Sequence, residues 1–205
     1  MKFTCIVDAC SFINLNHCTI FKDNNVLKLL IKNTEVIFSP TVNSEIKNHY
    51  NRSMPHLSAR RRYVYRTGKC SQHEFERRVF GAVLRPTERN RGERDNFCLI
   101  LDQFVHYRKG GLVFLTDDEN AIRGVLKDKI DAFPVYHLWC SHDVIIYLYL
   151  LKEIPTKEYA LDAIREIDNI IAPRNSDTTP EKTQLKLKRF SKYLQNIELI
   201  HNVIS

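Results

Sequence analysis

The sequence predicts an α/β sandwich built on a mainly parallel sheet. Short apolar runs recur along the chain, and segments with helical periodicity separate them. The chain has 205 residues, enough for one compact domain with a full core. Strands of a parallel sheet are covered on both faces, so they are expected as short apolar runs without strict alternation.

Four such runs are predicted as the strands of the sheet, because each is short and bounded by turn or helical residues. They are Phe3–Val7, Glu35–Phe38, Leu112–Leu115 and Ala132–Tyr136.

Helical segments lie between these strands and after the last one. Apolar residues at three-four spacing predict helices within residues 26–31 and from Asn96 to Tyr107. Ser39 followed by Pro40 predicts a further helix start, with a capping serine before a proline. The remaining helices are predicted at Asp118–Leu126, Ser141–Leu151, Thr156–Ile171 and Glu181–Val203. We therefore predict an α/β domain over residues 1–171, a polar linker over 172–180 and a C-terminal amphipathic helix over 181–205.

Composition excludes a membrane protein and a zinc-finger type of site. The longest apolar run, Val144–Leu151, falls far short of the roughly 20 residues that a spanning helix needs. Asp8 interrupts the first apolar stretch too early for a secretory signal. The six cysteines contain no Cys-x-x-Cys pair. Free thiols in a reducing compartment are the simplest interpretation, which predicts a cytoplasmic protein.

Positive charge is concentrated in one segment. From Arg52 to Arg94 there are twelve Lys and Arg against four Asp and Glu, a balance of +8 in a chain whose net charge is +7. A local basic patch on a nearly neutral body favours a polyanion such as RNA, and the alternative is a solvated helical face. Three consecutive arginines here stand beside Tyr63 and Tyr65, a mixture suited to phosphate contact and base stacking. The arginines assigned to nucleic-acid binding are Arg60, Arg61, Arg62, Arg66, Arg91 and Arg94.

Carboxylates are predicted to converge at the carboxyl edge of the sheet, where ligands of open parallel sheets bind. Asp8 follows the first strand, and the Asp117-Asp118 pair follows the third. Glu45 lies on the helix after the second strand, on a face with Val42 and Ile46 that is expected to be largely buried. Asp95 opens the helix that leads into the third strand, and its amino end also lies at this edge.

Each of these acids alone could be a helix cap or a turn residue. Four of them at one edge favour a shared cause. Clustered carboxylates repel one another unless a cation neutralises them, and an oxygen-only ligand set suits Mg²⁺ or Mn²⁺. Such ions activate water and stabilise a phosphoryl group during displacement.

Four short motifs resemble those of the PIN-domain nucleases, in the same order and spacing. The first is Val7-Asp8-Ala9-Cys10-Ser11-Phe12-Ile13, and the second is Glu45 after Ser-Pro-Thr-Val-Asn-Ser. The third is Gly92-Glu93-Arg94-Asp95 before an apolar helix, and the fourth is Leu115-Thr116-Asp117-Asp118. The resemblance covers about residues 1–138. Cys10 departs from it, because many members carry a small polar residue there.

The resemblance implies a Rossmann-like three-layer α/β/α sandwich and an endoribonuclease that uses Mg²⁺ or Mn²⁺. It implies that Asp8, Asp95 and Asp118 are metal ligands and that Glu45 contacts the metal directly or through water. Asp117 is the alternative fourth acid. Small members of the family are toxins of toxin–antitoxin pairs and are commonly dimers, so an antitoxin or other protein partner is a further expectation. The apolar stripe of the C-terminal helix, Leu187, Phe190, Leu194 and Ile197, is expected to form a homodimer, and the alternative is packing on the helices of its own chain.

Two other functions compete with this interpretation. A phosphatase of the haloacid dehalogenase type also begins with an aspartate after its first strand, but it needs Asp-x-Asp, and Cys10 occupies the second position. The other alternative is a catalytically silent PIN-like module that binds RNA or a protein, and loss of an acid would be its signature. No acid is missing here.

Overall fold

The structure, a computed structural model, describes residues 3–21, 24–50, 69–83, 85, 90–107, 111–124, 126–133, 135–172 and 180–204. Its elements in chain order are β1 (Thr4–Val7), α1 (Ala9–His17), β2 (Thr19–Phe21), β3 (Asn24–Asn25), α2 (Val26–Asn33), β4 (Glu35–Ile37), α3 (Pro40–His49), α4 (Lys69–Phe80), α5 (Arg91–Tyr107), β5 (Leu112–Leu115), α6 (Glu119–Arg123), α7 (Lys127–Ala132), β6 (His137–Trp139), α8 (Ser141–Leu150), α9 (Lys157–Ile171) and α10 (Pro180–Ile204).

The main sheet has four parallel strands in the order β4-β1-β5-β6. β1 is central and pairs with β4 and β5, so that Ile6 lies beside Ile37 on one side and Phe114 on the other. Every residue of β1 and β5 is buried, as expected for short apolar strands with both faces covered. The prediction of an α/β fold with a parallel sheet is confirmed.

The fourth strand was predicted in the wrong place. Ala132 ends α7, and Val135 and Tyr136 pack as partly buried side chains against the core. The strand is β6, which lies at the sheet edge with exposed His137 and Leu138. An exposed edge strand needs no apolar run, so the pattern selected the apolar residues just before it.

Helix boundaries also differ from the predicted ones. α5 begins at Arg91, one turn earlier than predicted, because its first turn is polar and carries no apolar periodicity. The predicted helix Asp118–Leu126 is instead α6, and a second short helix, α7, follows it. α4 and the antiparallel β2-β3 pair were not predicted.

The chain divides into two compact units, and the first, Met1–Phe12 with Thr34–Trp139, contains the main sheet. In it α5 packs on β1 and β5, while α3 and α4 pack on α5. Its apolar core joins strand residues such as Ile6 and Phe114 to α5 residues such as Phe97 and Ile100. This unit therefore fixes the start of α5 beside the carboxyl ends of the central strands.

The second unit, Ile13–Asn33 with Cys140–Ser205, is mainly helical. α10 packs on α8 and α9 through buried Leu194 and Ile197, and its Phe190 ring stacks on His142. The apolar stripe predicted on this helix therefore has a partner within the chain. A homodimer stays a prediction and would use other α10 residues. Most of the predicted linker, residues 173–179, lies outside the described residues.

None of the helices in the described ranges is long and apolar enough to cross a membrane.

Candidate functional site

Two predicted acids lie directly beyond the central strands. The Asp8 amide donates to the Leu115 carbonyl (2.9 Å), which extends the pairing of β1 with β5 by one residue. At the end of β5 the Thr116 amide donates to the Trp139 carbonyl (3.0 Å), and the Thr116 hydroxyl accepts from the Asp118 amide (3.2 Å). Asp8 and Asp118 thus stand at the same edge of adjacent strands.

Asp8 is nearly inaccessible, with 3% of its surface exposed. Burial is the main reason that its pKa rises to about 8, and the charges of Glu93 and Glu45 raise it further. The amides of Ala9 and Cys10 hydrogen-bond to the carboxylate and oppose this rise. Asp8 therefore also serves the first turn of α1, but these two amides do not compensate for the desolvation of its charge.

The third motif positions α5 against the other two elements. Asp95 is fully buried, and its carboxylate accepts a hydrogen bond from the Thr41 amide in the first turn of α3 (3.2 Å). The neighbouring Asn96 side chain accepts from the Ser39 amide (3.0 Å) and donates to the Val7 carbonyl (3.1 Å). Because Asp95 lies in the second turn of α5, it does not open the helix as predicted. Asp95 nonetheless lies at the carboxyl edge of the sheet, as predicted.

Glu45 is exposed, so the expectation that its face of α3 is largely buried is wrong for this residue, although Val42 and Ile46 are buried. A Cβ atom at Gly92 would stand 3.0 Å and 3.1 Å from its two carboxylate oxygens. One side of the carboxylate thus lies against the first turn of α5, while the rest of the residue faces solvent. Partial desolvation, followed by the charges of Glu93 and Asp95, raises the Glu45 pKa to about 7.

Glu93 was not predicted as a site residue, yet it interacts electrostatically with three of the predicted acids, Asp8, Glu45 and Asp118. Its charge raises the pKa of both Asp8 and Glu45, and its own pKa is raised by burial and by Asp118. The sequence signal was the polar first turn of α5, which the predicted helix start at Asn96 left out. The five coupled residues, called the acidic rim below, are Asp8, Glu45, Glu93, Asp95 and Asp118.

Asp117, the alternative ligand, is half-buried beside Asp118. Of this pair, Asp118 is the one whose charge raises the pKa of Glu93. This charge effect on Glu93 is the link between Asp118 and the acidic rim.

The rim is not assembled around an ion. Within the described ranges, no three His, Cys, Asp or Glu side chains stand in an arrangement that would hold one metal. The donor chemistry nevertheless fits Mg²⁺ or Mn²⁺, since all five rim residues are carboxylates, and the pKa values of Asp8, Glu45 and Glu93 are raised by charges of other rim residues.

The predicted RNA-binding arginines are only partly described. Arg60, Arg61, Arg62 and Arg66, with Tyr63 and Tyr65, lie outside the described residues.

Two predicted arginines belong to α5. Arg91 forms an ion pair (2.7 Å) with the fully buried Glu76 of α4. The Arg94 guanidinium lies over the Phe80 ring, 5.4 Å from its centroid. These contacts tie α4 to the turn of α5 that carries Glu93, so they have a structural function whether or not RNA binds.

Arg77 and Arg78 of α4 lie within the basic segment and are exposed, but they were not among the predicted RNA-binding arginines. Arg78 pairs with Glu74 one turn away (2.7 Å). Glu76 and Val79 of α4 are buried, and Arg77 and Arg78 lie on its exposed face. This face gives the first unit a described basic surface on a helix anchored to the start of α5.

No family model, curated protein or solved structure matches the chain. The interpretation of the acidic rim therefore rests on its own residues.

Proposed function

We propose that the protein is an endoribonuclease that uses Mg²⁺ or Mn²⁺, with a PIN-like three-layer fold as the resemblance implies. The observation that carries this proposal is the acidic rim, to which the residues after β1 and β5 and the helices α3 and α5 contribute carboxylates, and in which burial and neighbouring rim charges raise the pKa of Asp8, Glu45 and Glu93. Like charges held together at the ligand-binding edge of a parallel sheet are best explained by a cation bound in function.

Asp8, Asp95 and Asp118 would hold the ion, with Glu45 as a direct or water-mediated ligand and Glu93 as an added acid. When bound, a divalent ion would activate a water for attack and neutralise charge on the phosphoryl group. Backbone amides of the protein hold two of these carboxylates in place. The Thr41 amide fixes one oxygen of Asp95, and the Ala9 and Cys10 amides fix Asp8.

Arginines would bind the RNA backbone beside the rim. Exposed Arg77 on α4 supports this, because the Glu76–Arg91 ion pair (2.7 Å) holds α4 against the start of α5. Neutralising Arg60, Arg61 and Arg62 should weaken RNA binding and reduce its salt slope by about one for each phosphate that these arginines neutralise. Unchanged affinity and slope would favour a docking surface for an acidic protein partner, such as an antitoxin.

A mixed RNA pool incubated with the purified protein, with Mn²⁺ or with EDTA, tests the activity directly. We expect defined cuts with Mn²⁺ that disappear with EDTA and in Asp8→Asn. The matched control is Asp128→Asn, since Asp128 is an exposed aspartate of α7, and it should cut like the wild type. Full activity of Asp8→Asn, or equal cutting in EDTA, would overturn the assignment.

A silent module that binds RNA or a protein is the second candidate. The absence of a preformed three-ligand group among the described residues favours it. RNA binding in a gel-shift assay, with no cut in Mn²⁺ or Mg²⁺, would support this candidate against the nuclease.

A further inference from the structure

A cysteine, a histidine and an aspartate of the second unit lie in a hydrogen-bonded series. Cys140 precedes α8, and its Sγ lies 3.7 Å from Nδ1 of His142. Nε2 of the same ring lies 2.9 Å from Oδ1 of Asp168 in α9. His142 is buried, with 3% of its surface exposed, whereas Cys140 is half-exposed.

The hydrogen-bond pattern fixes the direction of the proton. An ionised aspartate accepts hydrogen bonds and cannot donate them, so the hydrogen between His142 and Asp168 belongs to Nε2. In the neutral ring Nδ1 is then the acceptor, and it faces the Cys140 thiol. Transfer of the thiol proton to Nδ1 gives a thiolate beside an imidazolium, which the Asp168 carboxylate stabilises.

Neighbouring groups hold the histidine ring in this orientation. The Phe190 ring of α10 stacks on His142 with centroids 5.3 Å apart and planes 11° apart. Lys186 of α10 lies 2.7 Å from the same Asp168 oxygen, and together with His142 it lowers the Asp168 pKa. Asp168 thus stays ionised, as the proposed proton direction requires.

Two further charges act on the Cys140 sulfur in opposite directions. The amino end of α8 favours a thiolate, because helix amides and the helix dipole stabilise negative charge there. Asp143 opposes it, since its carboxylate accepts a hydrogen bond from the Cys140 amide (2.8 Å). The imidazolium carries a full positive charge at contact distance, so we expect the thiolate to prevail.

Four other cysteines have described side chains, and their surroundings differ from those of Cys140. Cys5, Cys18 and Cys98 are buried, and burial raises the pKa of each thiol. Cys10 is half-exposed but adjoins Asp8, whose carboxylate accepts its amide hydrogen. Cys140 thus combines partial exposure with an imidazole contact.

We propose that Cys140 is a thiol-modification site that reacts with low-molecular-weight disulfides. The thiolate attacks one sulfur of the disulfide, a new Sγ–S bond forms and the original S–S bond breaks. The released thiolate takes the proton held on Nδ1 of His142. Cys140 is oxidised to a mixed disulfide, and one sulfur of the small disulfide is reduced to a thiol. This proposal does not depend on the nuclease activity.

Oxidised glutathione is the probe. The full chain is treated with it from pH 5 to pH 9, quenched with acid and digested, and the Cys140 peptide is quantified by mass spectrometry. In the folded protein, we expect the modification rate of Cys140 to reach half its maximum at a pH at least about one unit lower than in the urea-unfolded protein. The unfolded reference is an ordinary cysteine thiol, whose pKa is near 8.5. At pH 7 we expect His142→Gln to react roughly tenfold more slowly, since each pH unit of the profile is a factor of ten in thiolate.

The matched control is His137→Gln, because His137 is exposed and stands three residues before Cys140; its rate should equal that of the wild type. A folded-state profile that coincides with the unfolded one would overturn the proposal. A His142→Gln rate equal to that of the wild type would do the same. If His142→Gln fails to fold, the comparison of folded and unfolded wild type decides the matter alone.

Discussion

Asp8 illustrates how one buried acid can set the pH response of a protein. Its pKa of about 8 in the folded state lies well above the roughly 3.9 of an unfolded aspartate. Between these values the folded state binds more protons than the unfolded state. The free energy of unfolding of the metal-free protein should therefore decrease as pH rises from about 4 to about 8.

Asp8→Asn should weaken this dependence, because asparagine has no proton to lose, whereas the raised pKa values of Glu45 and Glu93 continue to act in the same direction. At pH 8 in EDTA the variant should melt at least about 3 °C above the wild type, since 1 kcal/mol corresponds to roughly 2–4 °C in a protein of this size. Thermal melting of the wild type and of Asp8→Asn at pH 5 and pH 8 measures how the stability of each depends on pH. With Mn²⁺ the order should reverse, because the ion stabilises only the protein with the intact rim. Equal melting temperatures at pH 8 in EDTA would contradict the electrostatic account.

The doubled aspartate gives a second prediction at this scale. The charge of Asp118 raises the pKa of Glu93, which links Asp118 to the acidic rim. We therefore expect Asp118→Asn to cost about a hundredfold or more in RNA cleavage, and Asp117→Asn to cost less than about tenfold, in the range that one positioned charged group supplies. Cleavage rates of the two single variants at saturating Mn²⁺ decide between them. A larger loss in Asp117→Asn would exchange their assignments.

At the scale of elements, the contact between α3 and the start of α5 determines where Glu45 lies. A Cβ atom at Gly92 would also stand 3.3 Å from Cγ2 of buried Val42, so the substitution requires a shift of a few tenths of an ångström. Alanine is favoured over glycine within a helix by roughly 0.5–1 kcal/mol. Replacing this glycine should therefore affect the stability of the protein and its RNA cleavage differently.

Gly92→Ala should melt at or slightly above the wild-type temperature but cleave RNA about tenfold more slowly, because small misplacements of reacting groups are costly. Cleavage rate and melting temperature are measured on the same samples. Glu45→Gln and the double variant complete a cycle. If Gly92 acts by leaving room for the Glu45 carboxylate, the double variant should be no slower than Glu45→Gln alone. Additive losses would show that Gly92 acts elsewhere.

At the scale of the whole molecule, α10 completes the core of the second unit. Leu194 is fully buried in its packing against α8 and α9, whereas Leu199 on the same helix is 61% exposed. Leucine-to-alanine substitutions at these two positions therefore distinguish packing of α10 within the chain from a contact of its exposed side with a second copy.

Leu194→Ala should lower the free energy of unfolding of this unit by roughly 2–5 kcal/mol, through reduced burial and a residual cavity. Leu199→Ala should change it by less than about 0.5 kcal/mol. Hydrogen exchange of the α8 and α9 amides measures the unit directly. A large loss of protection in Leu199→Ala would instead indicate that the exposed side of α10 is covered in solution, as a homodimer would require.

The sequence by itself determined the α/β class, three of the four strands of the main sheet and the side of the sheet that carries the acids. These features follow from local patterns, since buried strands are apolar and an acid directly after a strand must lie at its carboxyl end. Asp8 and Asp118 were thus located from their immediate neighbours.

Tertiary structure alone decided the features that depend on packing between distant segments. The edge position of β6 removed the apolar run by which strands are identified, so its residues could not be predicted. The place of Glu93 in the rim depends on the register of α5 against β1 and α3, which Asn96 fixes through Val7 and Ser39. The hydrogen-bonded series of Cys140, His142 and Asp168 likewise exists only because α8 and α9 pack together. No spacing along the sequence encodes the contact between His142 and Asp168.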